Sequence, residues 1–551
     1  MKRKMLYLAV LSALTLTSCA LSFGTTSTDD SSTGSSDTSG DSTSSDTGAD
    51  TSSGTSSGTS GNTSSDTSSN TSAETSSSTS TVAEGWDNYF KPDIVDEYHS
   101  YQDLQKNIYL NSIPSQGEDI DILVVPVEFT DYPFAAKTLT DLEILFNGTS
   151  SQTNYWESVA SFYEKSSYGH LDFDFTIAAT FDTEKTVSQF VSTYGSFFTT
   201  KLVRNVVSDY KTANGNSSTQ QFDNDSDGFI DAVWMIYSCP NYSNSDYIAN
   251  ISENFWAYVT WDAQQSYNGS GSVSSPVANV YGWASYDFMY EGGGDTKIDA
   301  HTYIHETGHL LGLDDYYNYD EDSTYKPLGA IDMMDYNIID HNAWSKMALG
   351  WLKPYVVTGD AEIIINPVES SGDAILIADN WNGTSFDEFI LLELYTPTGL
   401  NKLDSRTNYV GRYPRAYTTA GVRLLHIDAR LGIFNYSNQF INYGDPGSGP
   451  LYNDSTQRYF AMANSNTPSY SADENHRLVH MIQALGTNTF DEGMSGTNSD
   501  LFKTGQTFSM STHGTEFFKN GNKLNNGNAL GYAIYFSSVS SESATIRIEK
   551  I

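Results

Sequence analysis

The chain has three parts that differ in how their apolar and polar residues are arranged. Residues 19–82 are mostly Ser, Thr, Asp and Gly without a hydrophobic period, so they cannot bury enough surface to offset their chain entropy. Over residues 83–355, apolar runs alternate with segments of helical spacing, which predicts a sheet with packed helices. Over residues 356–551, short apolar runs separated by Gly, Asn, Ser and Asp predict a mostly β, sandwich-like C-terminal region. The predicted class is therefore α/β (α+β), followed by β.

Individual runs within residues 83–355 predict individual elements. The continuous apolar run of residues 119–129 predicts a buried strand, and residues 229–237 predict another. Apolar residues three and four apart predict one helix over residues 187–210. A further helix is expected to begin at a capping pair formed by Thr296 and Asp299.

The N-terminus has the parts of an export signal. A basic start precedes the apolar run Met5–Leu16, which ends in a segment that resembles a bacterial lipobox containing Cys19. We interpret residues 1–18 as a lipoprotein signal peptide, Cys19 as the site of lipid attachment and residues 19–82 as a flexible tether. This predicts an exported bacterial protein that is lipid-anchored on the extracellular face of the cell surface. The alternative is an ordinary signal peptide with an incidental cysteine.

Charge narrows the class of partner. The chain has 68 Asp and Glu residues against 28 Lys and Arg, a formal net charge of -40. Binding to nucleic acid or to anionic lipid needs clustered Lys and Arg, so neither is expected as a partner. Membrane contact is therefore expected only through the lipid anchor, and we expect a monomer.

The segment His305-Glu306-Thr307-Gly308-His309 carries the strongest chemical signal. On a helix, His305 and His309 project from one face one turn apart, a spacing that lets two imidazoles bind one Zn²⁺. Glu306 can then take a proton from water that the metal activates. Gly312 permits a sharp helix exit, which brings Asp315 within reach as the third ligand. The pattern predicts a catalytic zinc site.

Other readings of this segment stay open. A surface helix with two ordinary histidines is one alternative. Asp314 is the neighbouring rival for the third ligand position, and Asp332 and Asp335 are more distant rivals. His301 extends the histidine row by one turn, but three ligands on one straight helix would splay apart. We therefore interpret His301 as a helix-face or supporting residue.

The run from His305 to Asp315 resembles HExxHxxGxxD, a variant of the metzincin zinc-binding pattern with aspartate as the third ligand. More closely, the chain resembles the immune inhibitor A-like family of secreted bacterial zinc metalloproteases. The rest of this resemblance lies in residues 124–131, 158–169, 332–336, 343–346, 349–351, 421–428 and 483–486.

This resemblance implies a zincin-like catalytic domain over residues 83–355, with residues 83–118 as a candidate pro-segment. It implies an endopeptidase that acts on protein or glycoprotein substrates. Met334 would form the hydrophobic floor of a Met-turn, and Tyr336 would stabilise the oxyanion of the reaction. Core packing is the alternative for both residues. The alternative function is a surface-anchored adhesin, or a glycan- or protein-binding lipoprotein, with a vestigial zincin domain.

A second constellation resembles the first part of an EF-hand calcium loop. Trp234 stands where a bidentate glutamate closes such a loop, so a solvated acidic turn is the alternative. Because related proteases carry a similar loop, the resemblance favours structural Ca²⁺. The candidate oxygen ligands are Asp223, Asp225, Asp227, Phe229 and Asp231.

Overall fold

The structure is a computed structural model. It describes residues 85–93, 113–195, 198–242, 255–262, 271–294, 296–318, 324–410, 413–435, 440–443, 452–453, 458–461 and 477–551. The predicted signal peptide, Cys19 and the tether lie outside these residues, and so does the middle of the candidate pro-segment. Among the described residues, no helix combines the length and the apolar character needed to cross a membrane.

The first half of the described chain is built around one sheet. Its strands run in the order β3-β2-β6-β9-β7, with β4 beside β2, and all pairs are parallel except β7 with β9. The elements are β1 Asp87–Phe90, β2 Gly117–Glu128, α1 Ala136–Asn147, α2 Ser150–Thr153, α3 Val159–Ser166, β3 Leu171–Ile177, β4 Phe181–Asp182, α4 Val187–Tyr194, α5 Phe198–Asn214, β5 Phe229–Ile230, β6 Val233–Tyr237, β7 Tyr258–Trp261, β8 Val277–Ala278 and β9 Val280–Ser285.

Both faces of this sheet are covered. On one face, Leu123 and Met235 share a core with Phe198 and other residues of α5. On the opposite face, Trp234 belongs to a core that contains Tyr303 from the histidine-bearing helix. Strands buried on both faces read as continuous apolar runs, which is why β2 was predictable from its sequence.

Two predicted elements are each divided in the structure. The single helix expected over residues 187–210 is two helices, because Gly195 adopts φ +70° and ends α4. The strand expected over residues 229–237 is also two. β5 pairs with β8 in a separate ladder, whereas β6 joins the main sheet. Between them the buried side chain of Asp231 accepts a hydrogen bond from Asn224, which ties the chain to the preceding loop.

The second half of the described chain begins with the histidine-bearing helix and continues into a larger sheet. The elements are α6 His301–Leu310, α7 Met333–Tyr336, α8 Ala343–Ala348, β10 Tyr355–Ile365, α9 Val368–Ser371, β11 Ala374–Ile377, β12 Glu388–Tyr395, α10 Lys402–Arg406, β13 Gly421–Asp428, β14 Gly432–Asn435, β15 Phe440–Tyr443, β16 Tyr452–Asn453, β17 Arg458–Ala461, β18 Val479–Met481, β19 Thr507–Ser509, α11 Met510–Phe517, β20 Tyr532–Val539 and β21 Ala544–Lys550.

In the described chain, nine strands form this larger sheet. Its order is β18-β13-β12-β11-β10-β21-β20-β19, with β1 beside β10. The sheet is curled so that its two ends approach each other. Val422 of β13, near one end of the strand order, forms a bridge with Phe502, which precedes β19 at the other end. Its concave face encloses a core that includes Leu392 and Ile546. The other face contributes Leu425 to the core that also holds α6. The described chain is therefore of mixed α/β class, as predicted.

The candidate pro-segment is attached to the fold at both of its described ends. The Asn88 side chain donates to the Asp360 carbonyl at 2.7 Å, within the pairing of β1 with β10. At the other end, the Ile113 N–H donates to the carbonyl of Leu310, the last residue of α6. The Trp351 indole donates to the Ser115 carbonyl at 2.6 Å. The role of residues 83–118 as a removable segment stays a prediction.

Candidate metal centre

The helix that carries the two histidines, α6, begins later than its capping pattern predicted. Its first residue is His301, and the preceding Ala300 supplies no side-chain cap. Thr296 and Asp299 therefore do not act as the expected capping pair. The Asp299 carboxylate instead accepts a hydrogen bond from the His301 backbone N–H at 3.0 Å. The helix packs against the first sheet, where Tyr303 contacts the Ser285 carbonyl of β9. His305 and Glu306 are both buried.

Three potential ligand atoms converge at the C-terminal end of α6. His305 Nε2 lies 2.9 Å from Asp315 Oδ1, and His309 Nε2 lies 3.3 Å from the same oxygen. The donor atoms of the three residues lie within 4.8 Å of one another. We refer to these three side chains as the ligand cluster. Asp314, the neighbouring rival, is not part of it.

The other nitrogen of each imidazole is held by a backbone carbonyl. His305 Nδ1 lies 2.8 Å from the Met333 carbonyl oxygen, and His309 Nδ1 lies 2.7 Å from that of Leu313. A carbonyl oxygen only accepts, so each Nδ1 carries a hydrogen and donates it. In the neutral ring, Nε2 then presents its lone pair to the ligand cluster, the arrangement found for metal-binding histidines.

Gly312 makes the turn that returns the chain to the cluster. It adopts φ +100°, a backbone conformation that favours glycine. The Leu313 N–H donates to the Gly308 carbonyl at 2.9 Å, which closes the end of the helix. The same turn brings the Leu313 carbonyl into hydrogen-bonding contact with His309. It also places Asp315 beside both histidines. The sequence prediction for Gly312 is confirmed.

Replacing Gly312 by Ala is expected to weaken both the fold and metal binding. A methyl group at φ +100° costs about 1–3 kcal/mol of unfolding free energy, and relief of that strain would move Asp315. Gly505 is a matched control, since it has φ +85° and open space around its Cβ position. Urea unfolding should show similar losses for both variants. Zinc titration should show weaker binding only for Gly312→Ala, and equal zinc affinity in both would contradict the role of this turn.

The ligand cluster has strongly coupled protonation. Burial alone would lower the pKa of His309, but the Asp315 carboxylate raises it to about 10. Burial alone would raise the pKa of Asp315, but the charge of His309 and hydrogen bonds from both histidines hold it well below its usual value. A cation that binds these atoms must displace a proton, so its affinity should rise with pH.

Met334 packs closely against α6, and its role as the floor of a Met-turn stays a prediction. A Cβ added to Gly308 would lie 2.6 Å from Met334 Sδ, so this glycine allows the close approach. The Met334 carbonyl accepts from the Tyr316 N–H at 2.8 Å, next to Asp315 in the chain. The segment therefore contacts both α6 and the irregular segment after Gly312 that carries Asp315.

Tyr336 is half-buried among aromatic and cationic side chains. Its ring centroid lies 5.9 Å from that of Tyr413 and 6.4 Å from that of Tyr317, and Lys326 Nζ lies 5.9 Å from its centroid. Burial, with Asp335 second, raises the pKa of Tyr336 to about 12. The phenol therefore keeps its proton at neutral pH and can act as a donor, and its role toward an oxyanion stays a prediction.

His301 is separate from the ligand cluster and has its own partners. Its Nδ1 lies 2.7 Å from Asp299, and its Nε2 lies 3.3 Å from Asp404. The ring is stacked between Trp156 and Tyr409, with centroid distances of 4.0 and 4.2 Å. Burial alone would lower the pKa of His301, but Asp404 and Asp299 raise it to about 10. His301 therefore lies at the buried start of α6 with its own carboxylate and aromatic partners, outside the ligand cluster.

The two distant rivals for the third ligand are engaged elsewhere. The Asp332 side chain accepts from the Met334 N–H at 3.1 Å and from Asn342 at 3.1 Å. The Asp335 side chain accepts from the N–H groups of Leu328 and Ala330. Among the described residues, Asp315 is the carboxylate that groups with the two histidines.

The candidate calcium loop brings together part of its predicted ligand set. Carboxylate oxygens of Asp223, Asp225 and Asp227 lie within 4.8 Å of one another. Asp231 is buried and accepts from Asn224 at 2.8 Å, apart from those three carboxylates. The same carboxylates accept backbone N–H groups of the loop, for example Gly228 N–H to Asp223 at 3.0 Å. Calcium binding, including a contribution from the Phe229 carbonyl, stays a prediction.

Comparison of the chain with protein-family models and with curated proteins finds no match. The resemblance to the immune inhibitor A-like family therefore rests on the sequence motifs, and membership stays a prediction.

Sequence reasoning missed groups outside α6 that contact His305, His301, Asp332 or Tyr336. These are the Met333 carbonyl, Asp404 and Arg423, together with the aromatic neighbour Tyr413. A backbone carbonyl has no sequence signature. The other three lie in the C-terminal half, far from the motif in sequence, and no local spacing marks them.

Proposed function

We propose that this protein is an extracellular zinc-dependent endopeptidase that hydrolyses protein or glycoprotein substrates. The observation that carries the proposal is the convergence of the buried His305 and Asp315 with the partly exposed His309, beside the buried Glu306, which lies outside the ligand cluster. A purely structural zinc site has no use for an additional buried carboxylate. A hydrolytic site uses one as a general base.

The donor set of the cluster fits Zn²⁺. Two imidazole nitrogens and one carboxylate oxygen form one of the three-residue sets found in catalytic zinc sites, which leave a position for water. Bound there, Zn²⁺ would supply Lewis acidity that lowers the pKa of water and polarises the scissile carbonyl. Both histidines are already oriented by their Nδ1 hydrogen bonds, so binding requires little reorganisation of the side chains.

Glu306 is proposed to move the proton in the reaction. It follows His305 directly, its side chain is fully buried, and its charge acts on His309. In that position the carboxylate can take a proton from the attacking water and pass it to the leaving amine. Tyr336 is proposed to donate a hydrogen bond to the oxyanion, since its raised pKa keeps the phenol protonated.

We also propose the finer fold assignments. A zincin-like catalytic domain is supported by α6, whose Tyr303 donates to the Ser285 carbonyl of β9 at 2.6 Å and so packs against the first sheet. A sandwich-like C-terminal region is supported by the curled sheet, which encloses an apolar core on its concave face. The domain division near residue 355 also belongs to this proposal.

The setting of the enzyme rests on sequence alone. The export signal and Cys19 support a lipid-anchored protein on the outer cell surface, and the tether would hold the catalytic part away from the membrane. Structural Ca²⁺ at Asp223, Asp225 and Asp227 is proposed as a second metal.

Metal analysis together with casein turnover tests the proposed function. The purified protein should contain about one zinc per chain at the ligand cluster. A strong chelator should abolish casein hydrolysis, and added Zn²⁺ should restore it. Undiminished hydrolysis at full zinc removal would overturn the proposal.

The same preparation distinguishes the alternative function. An adhesin with a vestigial zincin domain would bind immobilised mucin or matrix protein without hydrolysing casein. An inactive protein that binds such a surface, with or without zinc, would favour that alternative over the protease.

A further inference from the structure

Two buried ionic contacts connect the C-terminal half to the segments that carry and support the ligand cluster. The first joins Asp404 of α10 to His301, the first residue of α6. The second joins Arg423 of β13 to Asp332, whose side chain caps α7. All four side chains are at most 2% exposed. The contacts therefore lie in the protein interior, where an unpaired charge costs free energy.

Asp404 holds more than the imidazole of His301. One carboxylate oxygen also accepts from the Ile339 backbone N–H at 2.8 Å, in the segment that follows α7. His301 is clamped from the opposite side by Asp299 at 2.7 Å, and its ring is stacked between two aromatic rings. This arrangement leaves the start of α6 little freedom to shift. His305 follows one helical turn later, so its position depends on that start.

Arg423 joins two strands of the larger sheet to the α7 segment. It lies directly opposite Glu393 across β12 and β13, and its Nη1 is 2.8 Å from Glu393. Its Nη2 is 3.4 Å from the Ile331 carbonyl and 3.5 Å from Asp332. Glu393 in turn accepts from the Ala343 N–H at 2.6 Å, at the start of α8. A planar guanidinium can serve both carboxylates at once.

The α7 segment supplies the carbonyl that orients His305. Asp332 accepts a hydrogen bond from the Met334 N–H. In the same turn, the Met333 carbonyl accepts a hydrogen bond from His305 Nδ1. A shift of this turn would therefore change the orientation of a ligand. Arg423 is therefore connected to the ligand cluster indirectly, through Asp332 and Met333. Asp404 is connected to it through His301.

We propose that Asp404 and Arg423 are positioning residues for the active site, so that the C-terminal half is a required part of the metal centre. This inference rests on the proposed function for its consequence in catalysis. It excludes the simpler view that the C-terminal half only delivers the protease to its substrate. Loss of either contact should loosen the metal site without removing any ligand.

Asp404→Asn and Arg423→Lys test the two contacts. Asparagine keeps the size of the Asp404 side chain but removes its charge, and a single ammonium cannot reproduce the two-carboxylate contact of Arg423. Zinc affinity, measured by competition with a chromophoric chelator, should fall about tenfold in each variant. On casein-derived peptides, kcat should fall while KM stays unchanged, since substrate contacts are intact.

Arg204→Lys is the matched control. Arg204 on α5 forms a double hydrogen bond with the buried carboxylate of Asp262, on the opposite face of the first sheet. Its loss should lower the melting temperature without changing zinc affinity or kcat. If Arg423→Lys does not fold, Glu393→Gln keeps the acceptor for Ala343 and removes the same charge pair.

Amide hydrogen exchange on the metal-free proteins separates this inference from the proposed function. Asp404→Asn should speed exchange about tenfold within His301–Leu310, and Arg423→Lys within Met333–Tyr336. The control should change neither segment. This readout needs neither zinc nor activity, so it decides the positioning role even if the wild type proves inactive. Unchanged exchange and unchanged zinc affinity in folded variants would overturn the inference.

Discussion

Glu306→Gln is expected to lower casein turnover by about 10²–10⁴-fold while the protein keeps its metal. Glutamine has the shape of glutamate but cannot accept the proton of the attacking water. The ligand cluster does not include Glu306, so zinc content should match that of the wild type. Turnover and metal content are measured on the same preparation.

The matched control for this substitution is Asp314→Asn. It also exchanges a carboxylate for an amide near the cluster, but at a half-buried position outside it. The control should keep both zinc and activity. A Glu306→Gln protein with full activity would contradict the proton-transfer role. One that loses its zinc would instead show that Glu306 holds the metal.

The local parts of the candidate site were predictable because they follow from spacing. His305 and His309 share a helix face by virtue of four-residue spacing, and the φ +100° of Gly312 is a conformation that glycine accepts readily. Asp315 then returns to the cluster within a few residues. Each of these features depends only on neighbours in the chain.

The long-range parts were not predictable for a corresponding reason. Asp404 contacts a histidine 103 residues earlier, and Arg423 contacts an aspartate 91 residues earlier. Asn88 pairs a strand of the candidate pro-segment with a sheet 272 residues later. A buried ion pair leaves no periodic pattern in the sequence. Each of its two residues, taken alone, looks like an ordinary charged residue of the protein surface.

The same reasoning explains the divided elements. Helical spacing continues across Gly195, so periodicity alone joined α4 to α5. The apolar run over residues 229–237 likewise continues across Asp231, a buried carboxylate that accepts a hydrogen bond from Asn224. The boundaries therefore coincide with the backbone conformation of Gly195 and with the change of pairing partner between β5 and β6, which the apolar pattern does not show.

Asp315→Asn is expected to lower zinc affinity by at least about a hundredfold, since loss of an outer-shell partner alone costs ten- to a hundredfold. The amide is a weaker ligand, and the negative charge that offsets Zn²⁺ is gone. Asp335→Asn is the matched control. Its carboxylate is equally buried but accepts from Leu328 and Ala330 instead of facing the histidines. Competition with a chelator measures both affinities.

Proton release gives an independent test of the same residue. In the wild type, Asp315 raises the pKa of His309 to about 10, so at neutral pH zinc must displace the proton that this pair holds. A weakly buffered titration should therefore release about one proton per zinc bound. With Asn at position 315, the largest contribution that raises the pKa of His309 is lost while burial still lowers it, so proton release should be smaller than in the wild type. Unchanged proton release in Asp315→Asn would contradict the assignment of Asp315 as the third ligand. A larger loss of zinc affinity in Asp335→Asn than in Asp315→Asn would contradict it as well.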